Sequence, residues 1–191
     1  MVLFYLFLYM EKEIVIKQTQ NWVREVVVGL NLCPFAAKEV KNNTIKYVVL
    51  NTTDVPDILE AVYEECEFLD ANTETETTLI IFPNATPDFE DYLDMLSLAE
   101  DLLEAEEYEG VYQIASFHPE YCFEDSDEND AANFSNKSPY PMFHLLRENS
   151  IDEAVEKYPN TEAIPDKNVE LLRSKGLEYM KKLRDACLKN I

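Results

Sequence analysis

Residues 77–117 read TTLIIFPNATPDFEDYLDMLSLAEDLLEAEEYEGVYQIASF, and this stretch alternates two patterns. It opens with the short apolar run Thr77 to Phe82 and closes with a similar run, Val111 to Phe117. Both runs have the length and composition of buried strands. Between them, Thr86-Pro87 is typical of an N-cap and a first helical residue, and apolar residues then recur at helical spacing. The stretch therefore predicts a βαβ unit.

The residues before this unit repeat the pattern. Ile45 to Leu50 is another apolar run of strand length, and Asp54 precedes apolar positions at helical spacing up to Leu69. Between Gln18 and Leu30, apolar residues again follow the helical period, which predicts a first helix. Short strands that alternate with long helices are typical of parallel sheets covered on both faces. We therefore predict a single-domain α/β fold: a small, mostly parallel sheet built from βαβ units, with helices on both faces and a long polar loop after the third strand.

The chain has 191 residues, the usual size of one domain. We expect that domain to span residues 18–191 and residues 1–17 to form an N-terminal extension. The apolar run from Met1 to Met10 lacks the basic flank and cleavage site of a signal peptide, and it is too short to span a membrane. We therefore expect Met10 to be the natural start, with a short edge strand in this run as the structural alternative.

The charge of the chain restricts its partners. Lys and Arg number 16 against 38 Asp and Glu, which gives a formal net charge of −22. A surface of this sign repels phosphate backbones and anionic lipids, so we predict neither nucleic acid nor membrane as a partner. The four cysteines form no C-x-x-C pair, which favours reduced thiols and a cytoplasmic location. Only three glycines are present, so no glycine-rich loop for a nucleotide cofactor exists.

Residues that can carry chemistry concentrate after the third strand. His118 directly follows the strand, and His144 lies in a second apolar segment, Met142 to Arg147, which we predict to be a short helix. They are the only histidines of the chain, and each is a candidate acid or base. The alternative is that each is a buried structural histidine.

The segment from Ala131 to Arg147 contains no carboxylate, although the chain is strongly acidic. On the predicted helix, His144 and Arg147 share a face, and Arg can donate two parallel hydrogen bonds to an anion. We therefore predict an anion-binding loop. Its predicted substrate-binding residues are Asn133, Asn136, Lys137, Ser138 and Arg147. The alternative is that Lys137 and Arg147 pair with the acidic run from Glu124 to Asp130.

Neither of two candidate metal sites matches a known pattern. Residues 125–129 place carboxylates and an amide as in the first half of a calcium loop, but Asp130 stands where the turn requires glycine. The second candidate site consists of His118, Cys122 and His144. It lacks the paired ligand spacing of zinc sites. We predict no metal and no cofactor.

Cys33 is the candidate nucleophile among the thiols. Cys33-Pro34 can place the cysteine at the N-cap of a short helix from Pro34 to Val40, where the helix dipole lowers the pKa of a thiol. If the first helix instead continues through Leu32, Cys33 lies at its negative end and is inert. A free cysteine is also commonly buried as a small apolar side chain.

Four longer motifs are distinctive: NLCPF at 31–35, TTLIIFP at 77–83, GVYQIASFHPEYCF at 110–123 and DAANFSNKSPYPMFHLLRE at 130–148, with YP at 158–159 and AIP at 163–165. Through them, most of the chain from Gln18 to Gly176 resembles a bacterial family, domain of unknown function 1415. In that family an Arg usually stands where this chain has Lys137, and the position of Cys122 is not always a cysteine. That variation argues against Cys122 as nucleophile or ligand. The resemblance implies where a site lies and leaves its reaction open.

We therefore expect an enzyme that acts on a small phosphorylated or carboxylated metabolite. Lys137 and Arg147 would hold the anion, His118 or His144 would transfer protons, and Cys33 would be the nucleophile. Such a site requires these groups to converge in a cleft beyond the strand ends. The alternative is a non-catalytic binding or interaction module whose acidic surface docks a basic partner. The oligomeric state is left open.

Overall fold

The computed structural model describes the backbone of residues 2–189 and the side chains of residues 11–189. In chain order the elements are α1 (Val2–Trp22), a π-helix (Val23–Val28), α2 (Ala36–Asn42), β1 (Ile45–Val49), α3 (Val55–Ala71), β2 (Thr77–Ile81), α4 (Phe89–Ala105), β3 (Tyr112–Phe117), a 3-10 helix (Ala131–Ser135), β4 (Met142–Arg147), α5 (Glu148–Lys157), a second 3-10 helix (Thr161–Ala163), α6 (Ile164–Lys175) and α7 (Leu177–Cys187).

The N-terminal run is helical. Because α1 begins at Val2, the alternative of a short edge strand there is wrong. The prediction that Met10 is the natural start concerns residues 1–10, whose side chains are not among the described ones. It stays a prediction. No helix in the described part of the chain is long and apolar enough to cross a membrane.

The four strands form one mixed sheet in the order β1-β2-β4-β3. β1 pairs with β2 in parallel, while β4 pairs with both β2 and β3 in antiparallel orientation. The prediction of an α/β fold is confirmed, but that of a mostly parallel sheet is wrong. The three predicted strands do run in one direction. The difference comes from residues 142–147, which form the central strand β4 and not the predicted helix.

Helices cover both faces of the sheet. Alternate residues of a strand point to opposite faces, and the strand residues divide accordingly between two buried clusters. One cluster lies under α3 and α4 and includes Ile58, Val62, Leu69, Ile80, Tyr92, Met95, Phe143 and Leu145. The other lies under α1, the π-helix, α6 and α7 and includes Trp22, Val26, Leu79, Ile81, Phe134, Met142, Leu172 and Met180.

The predicted first helix, Gln18 to Leu30, corresponds to the end of α1 and the π-helix that continues it. A π-helical turn contains one extra residue and is frequent at functional sites. Gly29 follows it directly, and a Cβ atom at this position would lie 2.3 Å from the carbonyl oxygen of Glu25. Any other side chain would therefore force this turn apart.

Candidate functional site

His118 is the first residue after β3, at the edge where β1, β2 and β3 end. Its side chain is buried, and both ring nitrogens are bonded to backbone. Nε2 donates to the carbonyl oxygen of Thr86 at 2.9 Å, and Nδ1 accepts from the amide of Glu120 at 3.1 Å. Burial lowers the pKa of His118, which keeps the ring neutral. The geometry therefore suits a structural histidine that joins three loop segments.

Asn133 holds the loop between β3 and β4 together. Its side chain is fully buried in the first 3-10 helix. Oδ1 accepts from the amide of Phe123 at 3.2 Å, and Nδ2 donates to the carbonyl oxygen of Asp127 at 2.9 Å. The side-chain amide thus bonds to the backbone just before the acidic run and to the backbone in its middle.

Asn136 and Ser138 fasten the same loop to β3. The amide of His118 donates to the carbonyl of Asn136 at 3.2 Å, and Nδ2 of Asn136 donates to the carbonyl of Ser116 at 3.1 Å. The hydroxyl of Ser138 donates to the carbonyl of Tyr140 at 2.6 Å. The structure therefore brings His118, Asn133, Asn136 and Ser138 together in one loop, where most of their hydrogen bonds are to backbone groups.

Lys137 is the cation of this loop. Its Nζ donates to the carbonyl oxygen of Glu128 at 3.1 Å and lies 5.6 Å from the ring centre of Phe134. The Cζ atom of Arg184, on α7, lies 5.4 Å from the same ring centre, so the two charges are within about 11 Å of each other. Burial lowers the pKa of Lys137, and the charge of Arg184 lowers it further.

Arg184 was not among the site residues predicted from the sequence. It donates from Nη1 to the carbonyl of Pro119 at 3.1 Å and pairs through Nη2 with Asp185 at 3.3 Å. It thus joins α7 to the loop that follows His118. Its only local signal is a basic residue on an amphipathic helix, because its partners lie far away in the sequence.

Cys122 lies in the same loop, half-buried. Its Sγ is 3.7 Å from Nδ2 of Asn133 and 3.4 Å from the carbonyl oxygen of Ser126. Cys122 acts to raise the pKa of Lys137, but its effect is smaller than the lowering by burial and by Arg184. The two groups therefore interact. Cys122 therefore shares the loop of Lys137, although the variation expected at its position argued against a role as nucleophile or ligand.

His144 lies in the middle of β4, where it pairs in register with Leu79 and Ala115. Its ring is half-buried on the α1 face, 6.1 Å from the ring of Phe117, which in turn contacts Trp22. Nε2 of His144 and Nε1 of Trp22 are both buried without a hydrogen-bond partner among the described residues. Burial lowers the pKa of His144 to about 4.

We expect this imidazole to make the fold sensitive to acid. In the unfolded chain His144 binds a proton near pH ~6.5, whereas in the fold it does so only near pH 4. Between these values the unfolded state binds more protons, so the free energy of unfolding falls as the pH falls. When the pH is lowered from about 7 to about 4.5, the free energy of unfolding of His144→Leu should therefore rise by about 2 kcal/mol relative to that of the wild type. Urea unfolding at both pH values measures this difference. A difference between the two proteins that is the same at both pH values would contradict this.

Arg147 does not join the loop residues. In a strand, residues three apart point to opposite faces, so Arg147 and His144 do not share the face that a helix would have given them. The register places Arg147 beside Tyr112 and Met142 beside Phe117, so Arg147 lies about 17 Å from the edge that carries His118. The expected cleft with His118 and Arg147 together is therefore not formed.

The guanidinium of Arg147 is instead bonded to the end of α3. It donates to the hydroxyl of Tyr112 at 3.2 Å and to the carbonyl oxygen of Thr75 at 3.2 Å. It also donates to the carbonyls of Leu69 and Asn72, which end the helix. Arg147 thus satisfies terminal carbonyls that lack partners within the helix.

Cys33 lies in the turn between the π-helix and α2, half-buried. The predicted N-cap position is wrong, because α2 begins at Ala36 and Phe35 is its N-cap residue. The Nδ2 atom of Asn168, on α6, donates to the carbonyl of Leu32 at 2.8 Å, so this turn is attached to α6. Cys33 is therefore in another part of the molecule from the loop around His118.

The acidic run of the loop has its own partner. Asp130 forms an ion pair with Arg173 on α6, with Oδ2 and Nη2 2.6 Å apart, and this contact lowers the pKa of Asp130 to about 2. The alternative in which the run pairs with Lys137 and Arg147 is wrong for Arg147. Lys137 contacts a carbonyl of the run and forms no ion pair among the described residues.

The comparisons with known proteins agree with the motifs. The model of the family described as "Protein of unknown function (DUF1415)" matches residues 14–182 of the 191-residue chain. No match was found among curated proteins or among solved structures. Since the match covers far more than half of the sequence, the chain belongs to the DUF1415 family.

Proposed function

We propose that this chain is a cytoplasmic enzyme that acts on a small anionic metabolite, phosphorylated or carboxylated, held between Lys137 and Arg184. The proposal keeps the anionic substrate expected from the sequence and replaces Arg147 by Arg184. The site lies beyond the end of β3, the usual position for ligands of open α/β sheets.

One observation carries the proposal: two cations from different elements lie against the ring of Phe134, although the chain has a net charge of −22. Their mutual repulsion is unfavourable: burial lowers the pKa of Lys137 most, and the charge of Arg184 lowers it further. An anion bound between them would relieve this repulsion. Glu120 and Glu128 each raise the pKa of Lys137, but each effect is smaller than the lowering by Arg184.

The thiol of Cys122 is the nucleophilic side chain of the same loop as Lys137. A cysteine thiol is a common covalent nucleophile. The Sγ of Cys122 lies 3.7 Å from Nδ2 of Asn133, and Cys122 is among the groups that act on the pKa of Lys137. We propose Cys122 as the nucleophile, in place of Cys33, and His118 as a positioning residue because both of its ring nitrogens are engaged.

The second candidate is the non-catalytic module with an acidic surface. It is favoured by a cavity of about 380 Å³ at the outer edge of β3, between this strand and α4. Five carboxylates line it, and none forms an ion pair among residues 11–189. They are Glu100, Asp101, Glu104, Glu109 and Glu148. A cluster of solvated carboxylates is also what a chain of this charge shows without any partner.

We expect inorganic phosphate to bind the wild-type chain and to slow alkylation of Cys122 by iodoacetamide. Lys137→Met and Arg184→Met should each weaken phosphate binding by at least about tenfold, since a hydrogen bond to a charged group contributes about 1.5–3 kcal/mol. Calorimetry measures the affinity. Mass spectrometry of the alkylated peptides follows Cys122, with Cys33 as an internal reference.

Lys182→Met is the matched control, because Lys182 is an exposed cation on the same helix as Arg184. It should leave phosphate affinity unchanged within about twofold. If phosphate binding survives both Lys137→Met and Arg184→Met, the anion site is elsewhere. If phosphate protects Cys33 and Cys122 equally, the thiol of Cys122 is not part of the site.

A further inference from the structure

A second cavity, of about 240 Å³, lies between the turn after the π-helix and α6. Its apolar walls come from the two sides of this junction. Tyr158 also lines the cavity, and its ring packs against that of Phe35, with 5.8 Å between ring centres. The apolar lining residues are Leu30, Pro34, Ile164 and Leu171. All four are half-buried, so the cavity opens to solvent.

The polar groups of this cavity are few and face it from different elements. Lys167 forms no ion pair among the described residues, and the hydroxyl of Tyr158 has no hydrogen-bond partner there either. Asn31 and Asn168 add side-chain amides. Apolar walls with a small number of polar groups are the usual composition of sites for small molecules.

The backbone around the cavity is unusual and firmly held. Asn31 has a φ of 54°, in the left-handed region, and it follows the π-helix within three residues. The amide of Leu32 donates to the carbonyl of Val27 at 2.9 Å, and Asn168 fixes the carbonyl of Leu32 from α6. The turn after the π-helix and α6 are therefore held together by a hydrogen bond. A cavity whose walls are fixed in this way costs less free energy to order when a ligand binds.

We propose that this cavity binds a small carboxylate with a compact apolar body. The apolar walls exclude a strongly hydrated ligand such as free phosphate, which a single ammonium group cannot satisfy. A cationic ligand is disfavoured because it would meet the charge of Lys167. The carboxylate accepts from Lys167, with the hydroxyl of Tyr158 as a second donor, and the hydrocarbon part lies against the four apolar residues.

Binding is tested with hexanoate on the full chain by two-dimensional NMR. We expect hexanoate to shift the amide signals of residues 30–34 and 164–171, with a dissociation constant of the order of 1 mM. The neutral analogue hexanamide should bind up to about fivefold more weakly, and Lys167→Met should weaken hexanoate to the same extent, since an exposed ion pair contributes up to ~1 kcal/mol. Ile164→Trp, which fills the cavity, should abolish the shifts.

Lys175→Met is the matched control, because Lys175 is exposed on the same helix and does not line the cavity. Hexanoate affinity should be unchanged in this variant. Equal binding of hexanoate and hexanamide, an unchanged affinity in Lys167→Met, or shifts that persist in a folded Ile164→Trp would each overturn the proposal. Phosphate affinity in Lys167→Met distinguishes the two sites: it stays at the wild-type value if the anion site at Lys137 and Arg184 is separate.

Discussion

Arg147→Met should destabilise the fold by about 3 kcal/mol while leaving anion binding intact. The substitution removes a guanidinium that donates to the hydroxyl of Tyr112 and to the carbonyls of Leu69, Asn72 and Thr75. Hydrogen bonds to a charged group contribute about 1.5–3 kcal/mol, and groups left without a partner add a desolvation cost. The melting temperature should fall by roughly 10 °C for a chain of this size. Urea unfolding gives the free energy.

Arg173→Met is the control, because it removes an exposed arginine from an ion pair with Asp130. That variant should lose no more than about 1 kcal/mol. Arg147→Lys keeps the charge but cannot reach several carbonyls at once, so it should lie between the wild type and Arg147→Met. Loss of phosphate binding in a folded Arg147→Met would show that Arg147 contacts the anion after all.

Asn133→Ala should cost a similar free energy, about 3 kcal/mol, and should also abolish anion binding. The fully buried amide accepts from the backbone N–H of Phe123 and donates to the backbone carbonyl of Asp127. The substitution removes both bonds and leaves the N–H of Phe123 without this partner, while the carbonyl of Asp127 still accepts from the amide of Asp130. The loop that carries Lys137 and Cys122 then loses the residue that fixes its shape. We expect the free energy of unfolding to fall with an unchanged urea m-value, which excludes a change in the unfolded state.

The exposed Asn129 offers the comparison. Asn129→Ala removes an amide from the same loop, with only a contact to Glu128, so its stability should stay within about 0.5 kcal/mol of the wild type. An Asn133→Ala chain that is as stable as Asn129→Ala would mean that the loop does not depend on this amide. Hydrogen exchange of the Phe123 amide would report the opening directly.

The pattern of the sequence was sufficient for the three strands that run in one direction and insufficient for β4. Residues 142–147 read MFHLLR, and Met, Leu and Arg are good helix formers. A central strand is buried on both faces, so its apolar residues do not alternate with polar ones. A short apolar run of this kind is ambiguous between helix and strand. Pro141, which directly precedes it, did not resolve the ambiguity, because proline is also common at the first position of a helix.

That one misassignment also changed the site. A helix would have placed His144 and Arg147 on one face, whereas the strand separates them by the thickness of the sheet. The grouping of His118, Asn133, Asn136 and Ser138 could be predicted, because these residues lie close together in one loop. Arg184 could not be predicted, because it reaches Phe134 across fifty residues of sequence. The cavity beside Lys167 likewise joins segments that only the fold brings together.

The position of β4 has a consequence for the order in which the molecule is made. The strand that lies between β2 and β3 is the last of the four to leave the ribosome, and it pairs with β2 across a separation of up to 69 residues, from Thr77 to Leu146. Until it emerges, β3 has no neighbour and β2 exposes one row of backbone groups, the kind of open border at which nascent chains associate. The sheet is then completed in a single late step, when β4 pairs with β2 on one side and with β3 on the other. Such long-range pairing is slow. A chain that stops before Met142 retains only the β1–β2 pair and should accumulate as aggregate.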